Sequence, residues 1–199
     1  MASKTIDYYL TLISPWAYLG SARLAEIAGR HGAEVRVLPV NYGEIFPRTG
    51  GLPLAKRAPE RQAYRMMELK RWKDHLGIPI NLEPAFFPAP ELTAACMVMA
   101  AGDTGGRPLE LAQAFGRAIW EQERNIAEEA VCEEVARETG HDAADLLARA
   151  QDPAMHQRYA EQSEAAIARG VFGAPSYVYK DELFWGQDRL DFLDRALAR

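Results

Sequence analysis

The chain has 199 residues, 48% hydrophobic and 26% charged, which fits one compact domain, or one domain carrying a large insertion, around a sizeable core. That composition excludes disordered, collagen-like and coiled-coil classes, and a formal net charge of −5 offers no basic surface for nucleic acid. The charge is uneven, however: between Arg48 and Asp74 eight basic residues stand against three acidic ones, a local +5 that leaves −10 elsewhere. Such a stretch is either a solvated helix face or a seat for a small anion.

Cys96 and Cys132 are the only cysteines and lie far apart. A disulfide scaffold needs more, so two buried thiols in a reducing cytoplasm are expected. The longest uncharged run, Tyr8 to Ala22, is broken by Pro15 and falls short of the ~18 residues a membrane span needs. It also lacks the basic flank of a signal peptide. The expectation is a soluble, cytoplasmic protein with neither membrane nor nucleic acid as partner.

Ile6, Tyr8, Leu10 and Leu12 alternate with other residues at the period of a strand. Ser14-Pro15 then opens a helix, serine as N-cap and proline at the first helical position, running to about Gly32. Val35, Val37 and Val40 predict a second strand, and parallel pairing of the two strands makes a right-handed βαβ unit. Residues 46–58 hold Pro47, Gly50, Gly51 and Pro53 and read as a loop. From Pro59 to Leu76 the pattern is helical, with Met66, Leu69, Trp72 and Leu76 on one stripe and Gly77 as the stop. A proline-rich connection and several more helices extend to about residue 169. Strand character returns at Ser176–Tyr179 and Leu183–Trp185, joined by a turn at Lys180–Glu182, and a last helix spans Asp188 to Leu197 with Asp188 as N-cap. The predicted fold class is α/β: a thioredoxin-like core (βαβ–ββα, residues 1–45 plus 170–199) interrupted by an all-helical insertion, residues 46–169.

The histidines (His31, His75, His141, His156) have no metal-ligand spacing, and no nucleotide loop or nucleophile elbow occurs. No metal is expected. In a thioredoxin-like core three segments converge. Ser14 stands at a helix N-terminus, where free N–H groups and the dipole favour an anion or thiolate; by itself it is also an ordinary cap. Gly173-Ala174-Pro175 puts proline at a strand entrance. A cis bond would free the Ala174 backbone for a peptide-like ligand; a trans bond would mark a plain edge strand. Gln187, Asp188 and Arg189 precede the last helix and suit a free α-amino acid moiety, or simple capping.

These segments, D-Y-Y-L-T-L-I-S-P-W-A-Y-L-G, V-F-G-A-P-S and F-W-G-Q-D-R-L-D-F-L, resemble the kappa-class glutathione transferase family, and within it the 2-hydroxychromene-2-carboxylate isomerases. The spacing agrees along nearly the whole chain. The resemblance implies a homodimer with glutathione as cofactor. Ser14 then supports the glutathione sulfur, the Ala174 backbone before a cis Pro175 binds the cysteinyl part, and Gln187, Asp188 and Arg189 bind the γ-glutamyl end. Two positions depart from the family: Gly51 replaces an asparagine, and Arg61 a glutathione-contacting lysine, keeping charge but not geometry. The implied reaction interconverts 2-hydroxychromene-2-carboxylate and trans-o-hydroxybenzylidenepyruvate through a transient thiolate adduct, in aromatic (naphthalene-type) catabolism. For the anionic aromatic substrate, Arg48, Lys56 or Arg57 is expected near the carboxylate and Trp16 or Tyr42 near the ring. A transferase conjugating small electrophiles, or a non-catalytic binder, shares the same residues. A dithiol oxidoreductase is excluded, because Ser14 to Ala17 contain no cysteine.

Overall fold

In the computed structural model, which describes residues 4–199, the alternating segment forms β1 (Lys4–Leu10). It ends two residues before the alternation does, and Leu12 stays buried in the following loop. Ser14 adopts extended dihedrals and starts α1 (Pro15–His31), which Gly32 closes at φ +58°, a left-handed turn that glycine makes without Cβ strain. β2 (Ala33–Pro39) runs parallel to β1, Lys4 opposite Ala33 through Leu10 opposite Pro39.

The expected loop at 46–58 is corrected in part, since residues 50–53 and 57–58 are irregular but the rest is not. Its first part belongs to α2 (Tyr42–Thr49), with Pro47 inside it, and Leu54–Lys56 forms a 3-10 turn. Proline removes one backbone donor there. Asn41 caps the start of the helix by accepting from Gly43 N–H at 2.9 Å, and burial of Tyr42 and Ile45 holds the helix in place despite the lost donor. α3 (Pro59–Leu76) ends at Gly77 as its stripe predicts. The helices α4 (Leu92–Asp103), α5 (Pro108–Trp120), α6 (Glu129–Glu138), α7 (Ala143–Ala150) and α8 (Pro153–Ala168) follow without an intervening strand.

β3 (Ser176–Tyr179) and β4 (Glu182–Trp185) form a hairpin whose turn is two residues, Lys180 and Asp181, both at positive φ. β3 pairs antiparallel with β1, giving the order β2-β1-β3-β4. α9 (Leu190–Leu197) closes the chain. The βαβ–ββα thioredoxin-like order is therefore present, with the helices of 42–168 placed between β2 and β3. Among the described residues no helix is long and apolar enough to cross a membrane.

One hydrophobic cluster runs from Ile6, Tyr8 and Leu10 through α1 into α4 and α5, where Met97, Phe115 and Trp120 are fully buried. Each large side chain there contributes about 1.5–3 kcal/mol by burial. A smaller cluster on the other face of β1 joins Tyr9 and Val178 to Tyr42, Ile45 and Ala166. Buried Asp7 is compensated by Arg36 at 2.6 Å and Arg169 at 2.5 Å, which ties β2 and the end of α8 to the central strand.

Glu91, at the cap of α4, reaches back to the loop between β1 and α1. Its carboxylate accepts from the Thr11 hydroxyl, from Leu12 N–H at 2.6 Å and from Ile13 N–H at 3.3 Å. Burial pushes its pKa up to about 7 against the opposing effect of those bonds. Between the unfolded carboxyl value of about 4.3 and about 7 the folded chain holds a proton that the unfolded chain releases, so this group's contribution to stability falls as pH rises. Glu91→Gln reproduces the protonated form, its oxygen accepting from the backbone and its amide donating to Thr11. Urea unfolding from pH 5 to 7.5 should show the wild type losing on the order of 1–3 kcal/mol relative to this variant. Parallel stability curves would remove Glu91 from the account.

Candidate active site

Antiparallel pairing of β1 with β3 sets Tyr9 opposite Ser176, and the hairpin sets Ser176 opposite Trp185. The exit of β1, the entrance of β3 and the exit of β4 therefore share one end of the sheet. Gly186 N–H donates to Pro175 C=O at 2.9 Å and fastens two of them together. Ser14, Ala174-Pro175 and Gln187–Arg189 are delivered to that end by topology.

Ser14 is buried. Its N–H donates to Thr11 C=O at 3.1 Å, and its C=O accepts from Tyr18 N–H at 3.0 Å. Its Oγ accepts from Ala17 N–H at 3.2 Å. Among the described residues nothing accepts the hydroxyl hydrogen, so Ser14 is a satisfied cap with one donor still to give. The first turn of α1 carries no acidic residue, which leaves the positive end of the helix dipole unopposed from within the helix. Trp16 sits half-buried in that turn, against the main core.

The Ala174–Pro175 peptide bond is cis. Ala174 is half-buried, and among the described residues its N–H and C=O have no hydrogen-bond partner. The preceding carbonyl is held firmly: Gly173 C=O accepts from the Tyr42 hydroxyl at 2.7 Å and from Ser176 Oγ at 2.6 Å. Gly173 must lack a side chain, since a Cβ would lie 2.2 Å from the Trp185 indole nitrogen. Tyr42, expected beside a substrate ring, is buried and holds this carbonyl.

Gln187–Arg189 form a 3-10 turn, and α9 starts only at Leu190. Asp188 is therefore not the N-cap that the sequence suggests. Gly186, at φ +100°, redirects the chain first, and Asp188 instead pairs with Arg189 at 3.2 Å, both side chains exposed. Gln187 is buried against α1, where Arg23 donates to its Oε1 at 3.2 Å and its Nε2 has no partner. The approach is so close that a Cβ on Gly20 would lie 2.7 Å from the Gln187 Cβ.

The basic stretch does not act as one patch. Arg48 pairs with Glu164 of α8, and Arg57 Nε donates to Leu52 C=O at 2.8 Å. Arg61 is exposed in the first turn of α3, with no carboxylate at ion-pair distance among the described residues. At Gly51 a Cβ would lie 2.3 Å from the Phe46 ring, so an asparagine fits only if Phe46 moves. Residues that the sequence does not single out are Glu91, which holds the two residues before Ser14, and Arg65. Cys96 and Cys132 are buried and free, their thiols pushed up to about 11 and about 12 by burial, and are inert.

A hydroxyl with a free donor, a free backbone segment after a tied carbonyl and an exposed acid–base pair therefore share one end of the sheet, a set of groups suited to an anionic, peptide-like ligand. A family model described as the DSBA-like thioredoxin domain matches residues 5–198. The 2-hydroxychromene-2-carboxylate isomerase of Sphingobium xenophagum is 30% identical over 98% of both chains. Human glutathione S-transferase kappa 1 is 24% identical, over 98% of this chain and 91% of the other. A solved 2-hydroxychromene-2-carboxylate isomerase superposes with a TM-score of 0.85 at 26% identity, covering 98% of this chain and 95% of that one. The chain belongs to the DSBA-like thioredoxin family and, within it, to the family of the 2-hydroxychromene-2-carboxylate isomerases.

Proposed function

We propose that the protein is a glutathione-dependent isomerase interconverting 2-hydroxychromene-2-carboxylate and trans-o-hydroxybenzylidenepyruvate. The observation that carries this reading is the uncommitted Ser14 hydroxyl, at the N-terminus of α1 and at the sheet end where the Ala174 backbone is free. When bound, glutathione supplies a sulfur nucleophile for reversible addition to a conjugated double bond.

The chain's own part is to bind and to hold charge. Ala174 N–H and C=O offer a strand-like pair of hydrogen bonds to a cysteinyl backbone. Asp188 and Arg189 are opposite charges placed for an amine and a carboxylate. Ser14 donates to a thiolate while the dipole of α1 stabilises its charge, so the ionised form is favoured near neutral pH. Glu91 fixes the loop that aims Ser14. A transferase conjugating small electrophiles is the second reading, favoured by the likeness to the human kappa enzyme.

Ultraviolet spectra of the chromene acid with purified protein, with and without glutathione, test the main reading. Approach to the benzylidenepyruvate equilibrium only with glutathione is expected. No change in either cuvette transfers the proposal to the transferase, and conversion without glutathione overturns the role given to Ser14. Loss of a charge-assisted hydrogen bond, about 1.5–3 kcal/mol, predicts that Ser14→Ala lowers turnover about 10–100-fold while glutathione affinity changes little. Thiolate absorbance near 240 nm should show the bound thiol ionising at higher pH in that variant. Arg61→Ala should weaken glutathione about 1.5–5-fold, the scale of one exposed charged contact; unchanged affinity by calorimetry would take Arg61 out of the site.

A further inference from the structure

Four arginines among the described residues are half-buried: Arg23, Arg57, Arg65 and Arg124. Arg23 meets Asp191, Arg124 meets Glu134 and Glu138, and Arg57 donates to the Leu52 carbonyl. Arg65 is the one of the four with neither a carboxylate nor a carbonyl as partner among the described residues, and the proposed function does not use it. It lies half-buried on α3, one turn beyond Arg61 and on the same face. Among the described residues its contacts are the Met66 sulfur at 3.6 Å and the Phe87 ring, whose centroid is 5.7 Å from the guanidinium carbon. No carboxylate of the described residues lies at ion-pair distance. Burial and the nearby Arg57 both disfavour its charge. A guanidinium carries five donors and keeps its charge in proteins, so a half-buried one beside another cation is a cost to the free protein.

The location gives that cost a use. Phe87 is joined by four residue steps, at most about 14 Å of chain, to Glu91, which grips Leu12 and Ile13 just before Ser14. Ile13, Trp16, Met66 and Phe87 form part of the half-buried apolar border of one core cluster, and α3 packs on α1. A cation with free donors thus stands over an aromatic ring on the flank of the serine loop. We propose that Arg65 seats the carboxylate of a flat, anionic aromatic ligand whose ring lies on the Phe87 side. This deepens the proposed function, on which it rests for the identity of the natural ligand, and it moves the carboxylate from Arg48, Lys56 or Arg57 to Arg65.

The test needs neither glutathione nor turnover, so failure of the isomerase reading leaves it intact. Calorimetry with sodium trans-cinnamate and the neutral cinnamamide measures the preference for charge on one aromatic frame. The wild type should bind the acid at least about tenfold more tightly, the scale of one charge-assisted hydrogen bond. Arg65→Met, which keeps the apolar stem, should abolish the preference, and Arg65→Lys should keep part of it. The Met variant should melt at or above the wild-type temperature, a gain of about 2–4 °C for each unfavourable kilocalorie removed. Equal affinities, no binding of either compound, or a preference surviving in Arg65→Met overturns the proposal. A lower melting temperature in the Met variant, with both compounds weakened alike, assigns Arg65 to packing and overturns it too. If the Met variant does not fold, Arg65→Gln, which keeps donors without charge, reads the same ratio.

Discussion

β1 is paired on both edges, parallel to β2 and antiparallel to β3, and that mixed pairing decides where chemistry can sit. The parallel partner forces a crossover helix, so a helix N-terminus must stand where β1 ends. The antiparallel partner brings the start of β3 to the same end, and the hairpin adds the exit of β4. Three segments separated by some 160 residues meet because one strand has two different neighbours. The cores on either face of β1 hold this arrangement, and the pairing of Asp7 with Arg36 and Arg169 pins its outer parts. A register slip of one residue would exchange the side chains that β1 gives to the two cores, putting Asp7 and Tyr9 where Ile6, Tyr8 and Leu10 now pack, so the packing that stabilises the fold also fixes the site.

The electrostatics of that end are built from weak elements. No thiol of the chain is nearby: Cys96 and Cys132 are buried in helices of the insertion. In the proposed function, stabilisation of a bound anion falls to one hydroxyl, the first amides of α1 and the field of its peptide dipoles. Against this stands Glu91, a carboxylate held to the two residues before Ser14. Fully charged, it would oppose any thiolate there. Burial raises its pKa to about 7, so near neutrality it carries only part of a charge while keeping its structural bonds. Thr11 makes this possible, because a hydroxyl can donate to the carboxylate or accept from the acid. Tyr42 and Tyr159 also face this carboxylate, both neutral at that pH.

Signals carried by adjacent residues were legible in the sequence, and signals carried by distant ones were not. Ser14-Pro15 is read correctly as a helix start because cap and first turn are contiguous. The stripe from Met66 to Leu76 and the Gly77 stop are legible for the same reason. α2 is missed because Pro47, Gly50 and Gly51 outvote two apolar residues whose burial depends on Val178 and Ala166, far along the chain. Asp188 has the right type and place for a cap, but Gly186 turns the chain ahead of it. The Glu91 clamp spans 80 residues to Thr11, and the Tyr42 bond spans 131 to Gly173. No local pattern marks either. Arg65 is invisible for a further reason: its peculiarity is partial burial without an oxygen partner among the described residues, and a sequence rich in arginine does not say which one combines the two.

Gly51 and Phe46 give the departure at 51 that the resemblance implies a coherent physical reading. The Phe46 ring, tilted against Tyr42 with centroids 5.4 Å apart, occupies the volume that a side chain at 51 would need. Tyr42 in turn holds Gly173, the residue before Ala174. The space surrendered by an asparagine is thus spent on an aromatic pair that stiffens the approach to the Ala174 backbone. In the proposed function, a side-chain contact to glutathione gives way to a better-ordered main-chain one. Such an exchange is favourable when ordering before binding removes more entropy cost than the lost hydrogen bond contributed. Loop 50–53 is then free to differ from its relatives without loosening the end of the sheet where Ser14 stands.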